Sequence, residues 1–258
     1  MPLPPVLRGA RAAFAFYTRI PVGGFPYAPA DWQWASGWFP LVGASLGGLL
    51  ALIWLAVERA GPLVAAALVV GVGMLLTGAL HEDGLADTAD ALGGAYDRTR
   101  LFEILKDSRI GSFGAAALCV VLVLRIALLA RLDEAAPLAL VLSQCLARTP
   151  PIWLMVSLPY VSSNATSRSQ SMVRVSRAQA MLATACPVLL MGALLWRGGL
   201  EPATAWALLA AAGLTALVCG WRFWVRAGGI TGDFLGATQQ VGECALLLVL
   251  ALARGEVA

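Results

Sequence analysis

The chain has 258 residues, of which 59% are apolar and only 13% are charged, and its mean hydropathy is +0.78. Soluble domains usually carry about 25% charged residues, so this composition excludes an ordinary soluble protein and indicates a polytopic membrane protein. The net charge of +3 gives no indication of a nucleic-acid partner, and none is expected. The length suits one compact bundle, so residues 1–258 are predicted to form a single integral-membrane domain.

The N-terminal segment, residues 1–37, lacks the apolar core of a cleavable signal, because arginines are mixed with aromatic residues between Arg8 and Ile20. An amphipathic helix lying at the membrane interface is the better prediction for this region. The Gly- and Pro-rich residues from Pro21 to Pro29 are predicted to follow as a loop.

Seven apolar runs are long enough to cross a bilayer, for which a helix needs about 20 residues. Small residues recur along the first two runs, and such residues let helices pack closely in lipid. The predicted fold class is therefore all-α, a polytopic membrane bundle of about seven transmembrane helices plus an N-terminal interfacial helix. The seven runs lie near residues 38–57, 62–82, 112–130, 136–158, 179–196, 203–221 and 237–253.

Basic residues are divided unevenly between the two sides of such a bundle. Twelve of them fall in the N-terminal segment and the second, fourth and sixth loops, whereas the other loops and the C-terminal tail hold four. Because cytoplasmic loops are enriched in Lys and Arg, the N-terminus and the even-numbered loops are predicted to face the cytoplasm. The fourth loop, residues 162–177, fits either a lid over an anionic substrate or a simple positively charged loop.

Residues 80–114 carry seven of the fifteen carboxylates in a chain that is otherwise nearly uncharged. Asp83, Asp87 and Asp90 are spaced i, i+4, i+7, so one helix would present all three on the same face. Because like charges repel, this arrangement indicates a cation among them. Mg²⁺ is the natural candidate, since it binds carboxylate oxygens and shares its other sites with substrate phosphates. Glu82 completes the predicted metal set, and a solvated acidic helix end is the alternative.

The acidic stretch is predicted to continue the second span. A helix running from Pro62 to Leu92 would be about 46 Å long, which places its acidic end at the cytoplasmic interface. Gly84 inside it costs about 1 kcal/mol relative to alanine, and this suggests a close neighbour such as a ligand. A short amphipathic helix, from Asp97 to Lys106, is predicted to follow with Asp97 as its cap.

Two glycine-rich segments precede predicted helices and are suited to bind anions. Lys106 to Gly114 places glycines and serines at a helix N-terminus, where Arg109 can form paired hydrogen bonds with a phosphate. Gly228 to Glu243 begins with four glycines in nine residues, and Asp233 within it adds a carboxylate on the same side. A serine-capped loop and a flexible turn are the respective alternatives. The predicted substrate-binding residues of these segments are Lys106, Arg109, Gly229, Thr231 and Gly232.

Three charged residues lie inside predicted spans, where an arginine costs about 2.5–3.5 kcal/mol on insertion scales. Arg148, followed by a Thr-Pro-Pro sequence, is predicted to contact phosphate or substrate. For Arg125, a site residue and one half of a structural ion pair stay open as equal alternatives. Glu243 is expected to be functional or paired. His81, the only histidine, is at a helix–water boundary, where a single histidine is more often structural than catalytic.

The run HEDGLADTAD, from His81 to Asp90, resembles the signature of the cobalamin synthase family, the adenosylcobinamide-GDP ribazoletransferases of bacteria and archaea. Three further stretches are similar to segments of that family. They are FAFYTRIP from Phe14 to Pro21, Lys106 to Gly114, and the Gly-rich stretch from Gly228 to Glu243. The resemblance covers essentially the whole chain.

The resemblance implies a multi-pass, Mg²⁺-dependent transferase of the bacterial cytoplasmic (inner) membrane, with its active site on the cytoplasmic face. It implies that adenosylcobinamide-GDP is joined to α-ribazole, or to α-ribazole 5′-phosphate, giving adenosylcobalamin or its 5′-phosphate and GMP. The implied partners are these small molecules and membrane lipid. Both a homo-oligomer and association with other late cobalamin-assembly enzymes are compatible with the resemblance.

Residue roles follow from the chemistry of phosphoryl transfer, which is mostly positioning and charge neutralisation. Mg²⁺ held by the three aspartates of the acidic helix would bridge the pyrophosphate, and Lys106, Arg109 and Arg148 would offset the remaining charge. Asp90 or Asp233 would accept the proton of the attacking ribose hydroxyl. The predicted catalytic residues are Asp83, Asp87, Asp90 and Asp233.

Two other classes of protein compete with this interpretation. Asp83 to Asp87 partly resembles the Asp-Gly-x-x-Ala-Arg start of CDP-alcohol phosphotransferases, but Asp87 replaces the arginine and the downstream aspartate motif of that family is absent. A transporter is disfavoured because the polar residues gather on one face, not at the midplane, and no inverted repeat is visible.

Overall fold

Nearly all of the chain that the computed structural model describes, residues 4–161 and 175–254, is helical, which confirms the predicted all-α class. One isolated β-bridge joins Tyr160 to Ile230. The predicted lid or basic loop at residues 162–177 falls mostly outside the described residues. The helices are α1 (Pro5–Tyr17), α2 (Pro29–Ala35), α3 (Phe39–Val57), α4 (Pro62–Thr77), α5 (Leu80–Gly94), α6 (Arg98–Ile104), α7 (Ser112–Leu132), α8 (Ala136–Leu146), α9 (Thr149–Ser157), α10 (Arg177–Trp196), α11 (Pro202–Ala227) and α12 (Gly232–Arg254).

The number of spans differs from the predicted seven when helices are judged by length and composition. Five stretches of the described chain are long and apolar enough to cross a membrane, and six if the bent pair α4–α5 counts as one span. One of the five, Ser112–Ser157, contains both the third and the fourth predicted spans. Its helices α7 and α8 are separated by a 3-10 turn at Asp133–Ala135, and Arg125 before the turn faces the same small cavity as Gln144 after it. The chain therefore reverses direction at the turn Asp133–Ala135, and the third and fourth predicted spans lie on either side of it.

The predicted continuous helix from Pro62 to Leu92 is wrong, because the chain bends by 91° between α4 and α5. Gly78 and Ala79 have left-handed backbone conformations at the bend, with φ of 65° and 55°, and a left-handed glycine commonly ends a helix. The side chain of Arg19 packs where a Cβ on Gly78 would be, and the Arg19 N–H donates to a carbonyl of the last turn of α4 at 2.7 Å. The acidic segment is therefore a separate helix that turns away from the axis of α4.

Helices α3 and α8 pack directly against each other because glycines leave room for the neighbouring backbone. A Cβ on Gly47 would lie 2.5 Å from the carbonyl oxygen of Leu140, and a Cβ on Gly43 would collide with that of Gln144. Gly48, although adjacent to Gly47, faces open space. Close packing through small residues, as predicted for the first span, is thus confirmed for the face that carries Gly43 and Gly47.

The two ends of the bundle differ in chemistry. One end contains an apolar core built from α3, α4, α7, α8 and α12, in which Trp54, Val69 and Leu129 are buried. The other end contains the N-terminal α1, the acidic α5, the loop before α7 and the start of α12. These elements touch one another there. Polar segments that are far apart in the sequence therefore lie together at one end of the molecule.

We expect Gly47→Ala to lower the unfolding midpoint of the purified protein in detergent, because the added Cβ meets the backbone of α8. Overpacking of this kind costs about 1–3 kcal/mol. Gly48→Ala is the matched control, and it should leave the midpoint unchanged or raise it, since alanine favours helix and nothing lies within 4 Å. Equal midpoints for the two variants would contradict the proposed packing of α3 on α8.

Candidate active site

The site is built where α5 meets the N-terminus of α12. A Cβ on Gly84 would lie 2.9 Å from the carbonyl oxygen of Asp233 and 3.1 Å from its Cα, so only glycine allows this approach. Gly236, one turn further along α12, lies against the backbone of His81 and Gly84. The close neighbour that Gly84 implied in the sequence is therefore the backbone of Asp233.

Three carboxylates surround this contact. Asp83 is exposed, whereas Asp87, one turn further along α5, and Asp233 are half-buried. Their charges lie close enough to repel one another. Across residues 4–161 and 175–254, none of the three lies within ion-pair distance of a basic side chain. Asp233 accepts a hydrogen bond from the hydroxyl of Thr231 at 3.4 Å.

These carboxylates fit a metal that is held jointly with a substrate. In the described part of the chain, no group of three or more His, Cys, Asp or Glu side chains forms a ready-made metal site. Mg²⁺, however, is usually bound by one or two carboxylates together with substrate phosphates and water. Asp83, which lines the cavity, and Asp87, one helical turn further along α5, meet that smaller requirement.

The cavity beside Asp83 and Asp233 has a volume of about 170 Å³. Its remaining wall is largely apolar and aromatic, with contributions from α1, α3 and the segment that follows α9. Gly232, at the first position of α12, also lines it and has open space around it. A helix N-terminus carries unpaired N–H groups and a partial positive charge, which favour an anion. The cavity therefore combines an apolar interior with a mouth that carries both carboxylates and N–H donors.

The other two residues predicted to bind substrate in this glycine-rich segment have structural contacts. A Cβ on Gly229 would collide with the carbonyl oxygen of Pro159, so this glycine serves the close approach of the chain before Tyr160. Thr231 is buried, and its hydroxyl accepts a hydrogen bond from the Phe234 N–H at 3.3 Å, which caps α12. The contact of Gly229 is thus with the chain before Tyr160, its role as an anion contact stays a prediction, and Gly232 and Gly236 are the glycines of this segment that line the cavity.

Asp90, predicted as a metal ligand and as a base, holds the start of α7 in place. Its two carboxylate oxygens accept hydrogen bonds from the N–H groups of Gly111 at 2.7 Å and Gly114 at 2.8 Å. Asp90 is buried, and a Cβ on either glycine would collide with its carboxylate. The side chain therefore neutralises the N-terminus of a helix, and its role as a metal ligand stays a prediction.

Glu82, the fourth predicted metal ligand, belongs to a buried ion-pair network. Arg125 on α7 lies 3.0 Å from Glu82 and 2.9 Å from Glu243 on α12. Gln240 donates to Glu82 at 3.1 Å, and Gln239 donates to Glu243 at 2.9 Å. All five side chains are buried. Glu82 is thus turned away from the carboxylate cluster, because its neighbour across the bundle is an arginine, and the open question about Arg125 is answered as an ion pair.

Arg148 lies in the same buried region and does not line the cavity beside Asp83. Its guanidinium donates to the Gln144 carbonyl and side-chain oxygens, both at 2.6 Å, and lies 5.3 Å from the centre of the Phe39 ring. The helix does break at this residue, as the Thr-Pro-Pro sequence predicted, because α8 ends at Leu146 and α9 begins at Thr149. Arg148 therefore lies behind the Phe39 ring, on the side away from the cavity lining, and its role as a phosphate contact stays a prediction.

His81 connects the two regions, because it lines both the cavity and the small buried space around Arg125 and Arg148. Its ring is nearly parallel to those of Phe39, at 5.7 Å, and Tyr17, at 6.3 Å. Packing of this kind agrees with the structural role expected for a single histidine at this boundary.

The loop before α7 carries the remaining predicted contacts, Lys106 and Arg109, and both are exposed. Arg109 donates to both carboxylate oxygens of Asp107, with its shortest contact at 2.6 Å. These hydrogen bonds lower the pKa of Asp107 to about 2, so its carboxylate stays charged. Arg109 can exchange this exposed partner for a phosphate at little cost, since surface ion pairs are worth about 0–1 kcal/mol.

The aromatic wall of the cavity is the feature that the sequence left unassigned. Phe16, Tyr17, Phe39 and Met155 all line it. The first two belong to the FAFYTRIP segment, for which the sequence indicates a family resemblance and an interfacial helix but no contact with substrate. The spacing of aromatic residues along α1 does not distinguish a lipid-facing side from the wall of a cavity, because both are apolar.

The fold and site together define a class of protein, an integral-membrane helix bundle whose carboxylates and cavity are confined to one end. A family model described as cobalamin-5-phosphate synthase matches residues 9–251. The chain therefore belongs to the cobalamin-5-phosphate synthase family.

Curated relatives named adenosylcobinamide-GDP ribazoletransferase match along nearly the whole chain. The protein from Azorhizobium caulinodans is 42% identical over 96% of this chain and 97% of its own length. The protein from Albidiferax ferrireducens is 40% identical over 92% and 95%, and that from Shewanella piezotolerans is 37% identical over 92% and 93%. No solved structure matches the chain.

We expect Arg125→Met to destabilise the protein strongly, because Glu82 and Glu243 would keep their charges in a buried region without a counter-ion. Breaking a buried ion pair from one side costs about 3–5 kcal/mol, which thermal unfolding in detergent would report. The triple variant Arg125→Met, Glu82→Gln, Glu243→Gln should recover part of the loss.

Arg131→Met, which changes an exposed arginine on the same helix, is the control and should unfold as the wild type does. If Arg125→Met also matched the wild type, the network would not hold α5 in place.

Proposed function

We propose that this protein is an adenosylcobinamide-GDP ribazoletransferase. It joins adenosylcobinamide-GDP to α-ribazole, or to α-ribazole 5′-phosphate, and releases GMP. The observation that carries the proposal is the pairing of Asp83 and Asp233 at the mouth of one cavity, in a chain that belongs to this family throughout its length. The family match argues against the CDP-alcohol phosphotransferase and transporter alternatives.

The reaction needs a group that accepts the proton of the ribose hydroxyl as its oxygen attacks the phosphate next to cobinamide. Asp90 is unsuited to this, because both of its oxygens already accept hydrogen bonds from backbone N–H groups. Asp233 is half-buried at the cavity mouth, with one weak hydrogen bond from Thr231. We assign the proton acceptor to Asp233, since a carboxylate in this position is within reach of a hydroxyl that enters from the cavity.

The pyrophosphate carries negative charge that must be offset while GMP leaves. The free N–H groups at the start of α12 and the exposed guanidinium of Arg109 supply two sources of positive potential. Asp83 and Asp87 would hold Mg²⁺, and the ion would supply further positive charge to offset that of the phosphates.

We also propose that the reaction end faces the cytoplasm of a bacterial inner membrane, with the N-terminus inside. The basic N-terminal segment and the second and sixth loops meet at the end that contains α5, and the basic side of a membrane protein is normally cytoplasmic. Adenosylcobinamide-GDP and ribazole are soluble nucleotides or nucleosides, which fits a site that opens to water at this end.

The proposal is tested by incubating purified protein with adenosylcobinamide-GDP, α-ribazole and Mg²⁺ in detergent and measuring GMP by chromatography. The wild type should release GMP only when both substrates are present. Asp233→Asn should lower kcat by about 10²–10⁴-fold, the usual contribution of a general base. Glu58→Gln, at an exposed position near the start of α4, should retain wild-type kcat. An unchanged kcat in Asp233→Asn would refute the assigned base.

The metal assignment makes a separate prediction about the dependence of activity on Mg²⁺ concentration. Asp83→Asn and Asp87→Asn should raise the Mg²⁺ concentration for half-maximal activity roughly 10-fold or more, since even indirect ligand changes weaken metal binding by about 10–100-fold. Asp90→Asn should lower the unfolding midpoint but leave that concentration unchanged, because Asp90 caps α7. The reverse pattern would restore Asp90 as the ligand and contradict the structure.

A further inference from the structure

We propose that the cavity of about 170 Å³ is the binding site for the dimethylbenzimidazole base of ribazole, with the ribose at the mouth between Asp83 and Asp233. This inference rests on the proposed function, because it assigns one of the two substrates to one part of the site. It adds the position and the chemical basis of nucleoside recognition, which the family match does not give.

The size of the cavity selects among the organic groups of the two substrates. An apolar cavity of about 150 Å³ accommodates one benzene molecule, so this cavity suits a small flat ring system. The corrin macrocycle of cobinamide is several times larger and must remain outside. The groups of suitable size are therefore the dimethylbenzimidazole base, the guanine base and the adenine of the adenosyl ligand.

The chemistry of the wall favours dimethylbenzimidazole. Phe16, Tyr17, Phe39, Leu80 and Met155 present rings, a thioether and an aliphatic side chain to the cavity. The more polar His81 and Tyr160 lie beside them. Dimethylbenzimidazole carries two methyl groups and no N–H donor when it is attached to ribose. Guanine and adenine carry hydrogen-bond donors and acceptors along their edges, and burying these groups without partners is costly. An apolar interior is thus complementary to the base of ribazole.

The aromatic rings of the wall are packed against one another. The rings of Tyr17 and Phe39 lie 3.9 Å apart with an angle of 19° between them, and Phe16 meets Tyr17 edge-on at 5.0 Å. The Arg148 guanidinium lies over the Phe39 ring and fixes it from behind. The wall is therefore held in place before any ligand binds, which lowers the entropic cost of binding.

The position of the cavity also fits the reaction. Asp83, Gly232 and Asp233 line the same cavity as the aromatic side chains. A nucleoside whose base enters the apolar interior therefore places its ribose beside Asp233 and the N-terminus of α12. The ribose hydroxyl then lies where the proton acceptor and the phosphate-binding groups have been assigned.

Two variants test the cavity without changing the carboxylates. Phe16→Ala removes a half-exposed wall residue, and Met155→Trp fills the cavity from the side of α9. Each should raise the KM for α-ribazole about 10-fold, because Phe16→Ala removes an aromatic contact worth about 1–3 kcal/mol and Met155→Trp takes up the space of the base. The KM for adenosylcobinamide-GDP should change less than about twofold. Phe16→Leu should lie between Phe16→Ala and the wild type.

Matched controls are present on the outer surface of the bundle. Met181→Trp and Trp206→Ala alter exposed residues of α10 and α11, away from the cavity, and both should retain wild-type KM values. Binding of α-ribazole alone, measured by ligand-detected NMR on the full-length protein in detergent, gives a second readout. Binding of α-ribazole should be detected for the wild type, and its affinity should be about 10-fold weaker in Phe16→Ala and Met155→Trp.

The outcomes separate this inference from the proposed function. A wild type that binds α-ribazole through Phe16 and Met155 but releases no GMP would support the cavity assignment while refuting the transferase activity. An active wild type in which both variants raise the KM for adenosylcobinamide-GDP would overturn the assignment in favour of a purine base of that substrate. An active wild type whose KM values and ribazole binding are unaffected by both variants would also overturn it.

Discussion

One buried guanidinium determines where the acidic helix lies. Arg125 pairs with Glu82 of α5 and Glu243 of α12, and so joins three helices that are distant in sequence. An arginine inside a membrane is tolerated when it is paired within the protein. Because Glu82 faces inward to meet it, its neighbour Asp83 faces outward, towards the cavity. The same ion pairs that allow the charges to be buried thereby orient the carboxylates that remain free.

The separation of two kinds of acidic residue follows from this constraint. The carboxylates of Glu82 and Asp90 already have structural partners. Glu82 pairs with Arg125, and Asp90 accepts a hydrogen bond from an N–H group at the N-terminus of α7. Asp83 and Asp233 are left facing the cavity, where Gly84 allows their helices to touch. Phosphoryl transfer depends on fixed positions for charged groups. The network supplies this rigidity, and the apolar wall beside it supplies a place for an uncharged base.

Much of the fold and part of the site could be predicted from the sequence. Apolar run lengths gave the all-α class, and Asp97 does cap α6, where it accepts the Arg100 N–H at 2.8 Å. Helical spacing correctly related Asp83 to Asp87 on one helix. It did not reveal that Asp90, on the same stripe, would meet the glycines of another loop, because spacing fixes positions around a helix axis and not what packs against each one.

Long-range pairings account for most of what the sequence did not show. Glu82 and Arg125 are 43 residues apart, and Glu82 and Gln240 are 158 apart, so no local pattern connects them. The break at Gly78 was missed because it depends on Arg19 packing from another segment and contains no proline. The aromatic cavity was missed because lipid-facing and cavity-facing side chains are equally apolar.

The most direct test of this arrangement is an experimental structure of the wild-type protein with adenosylcobinamide-GDP and Mg²⁺, determined by electron cryo-microscopy in a lipid nanodisc. We expect pyrophosphate density between Asp83 and the N-terminus of α12, with Glu82 still paired to Arg125. Pyrophosphate held by Glu82 or Asp90, or found at the opposite end of the bundle, would contradict the proposed site.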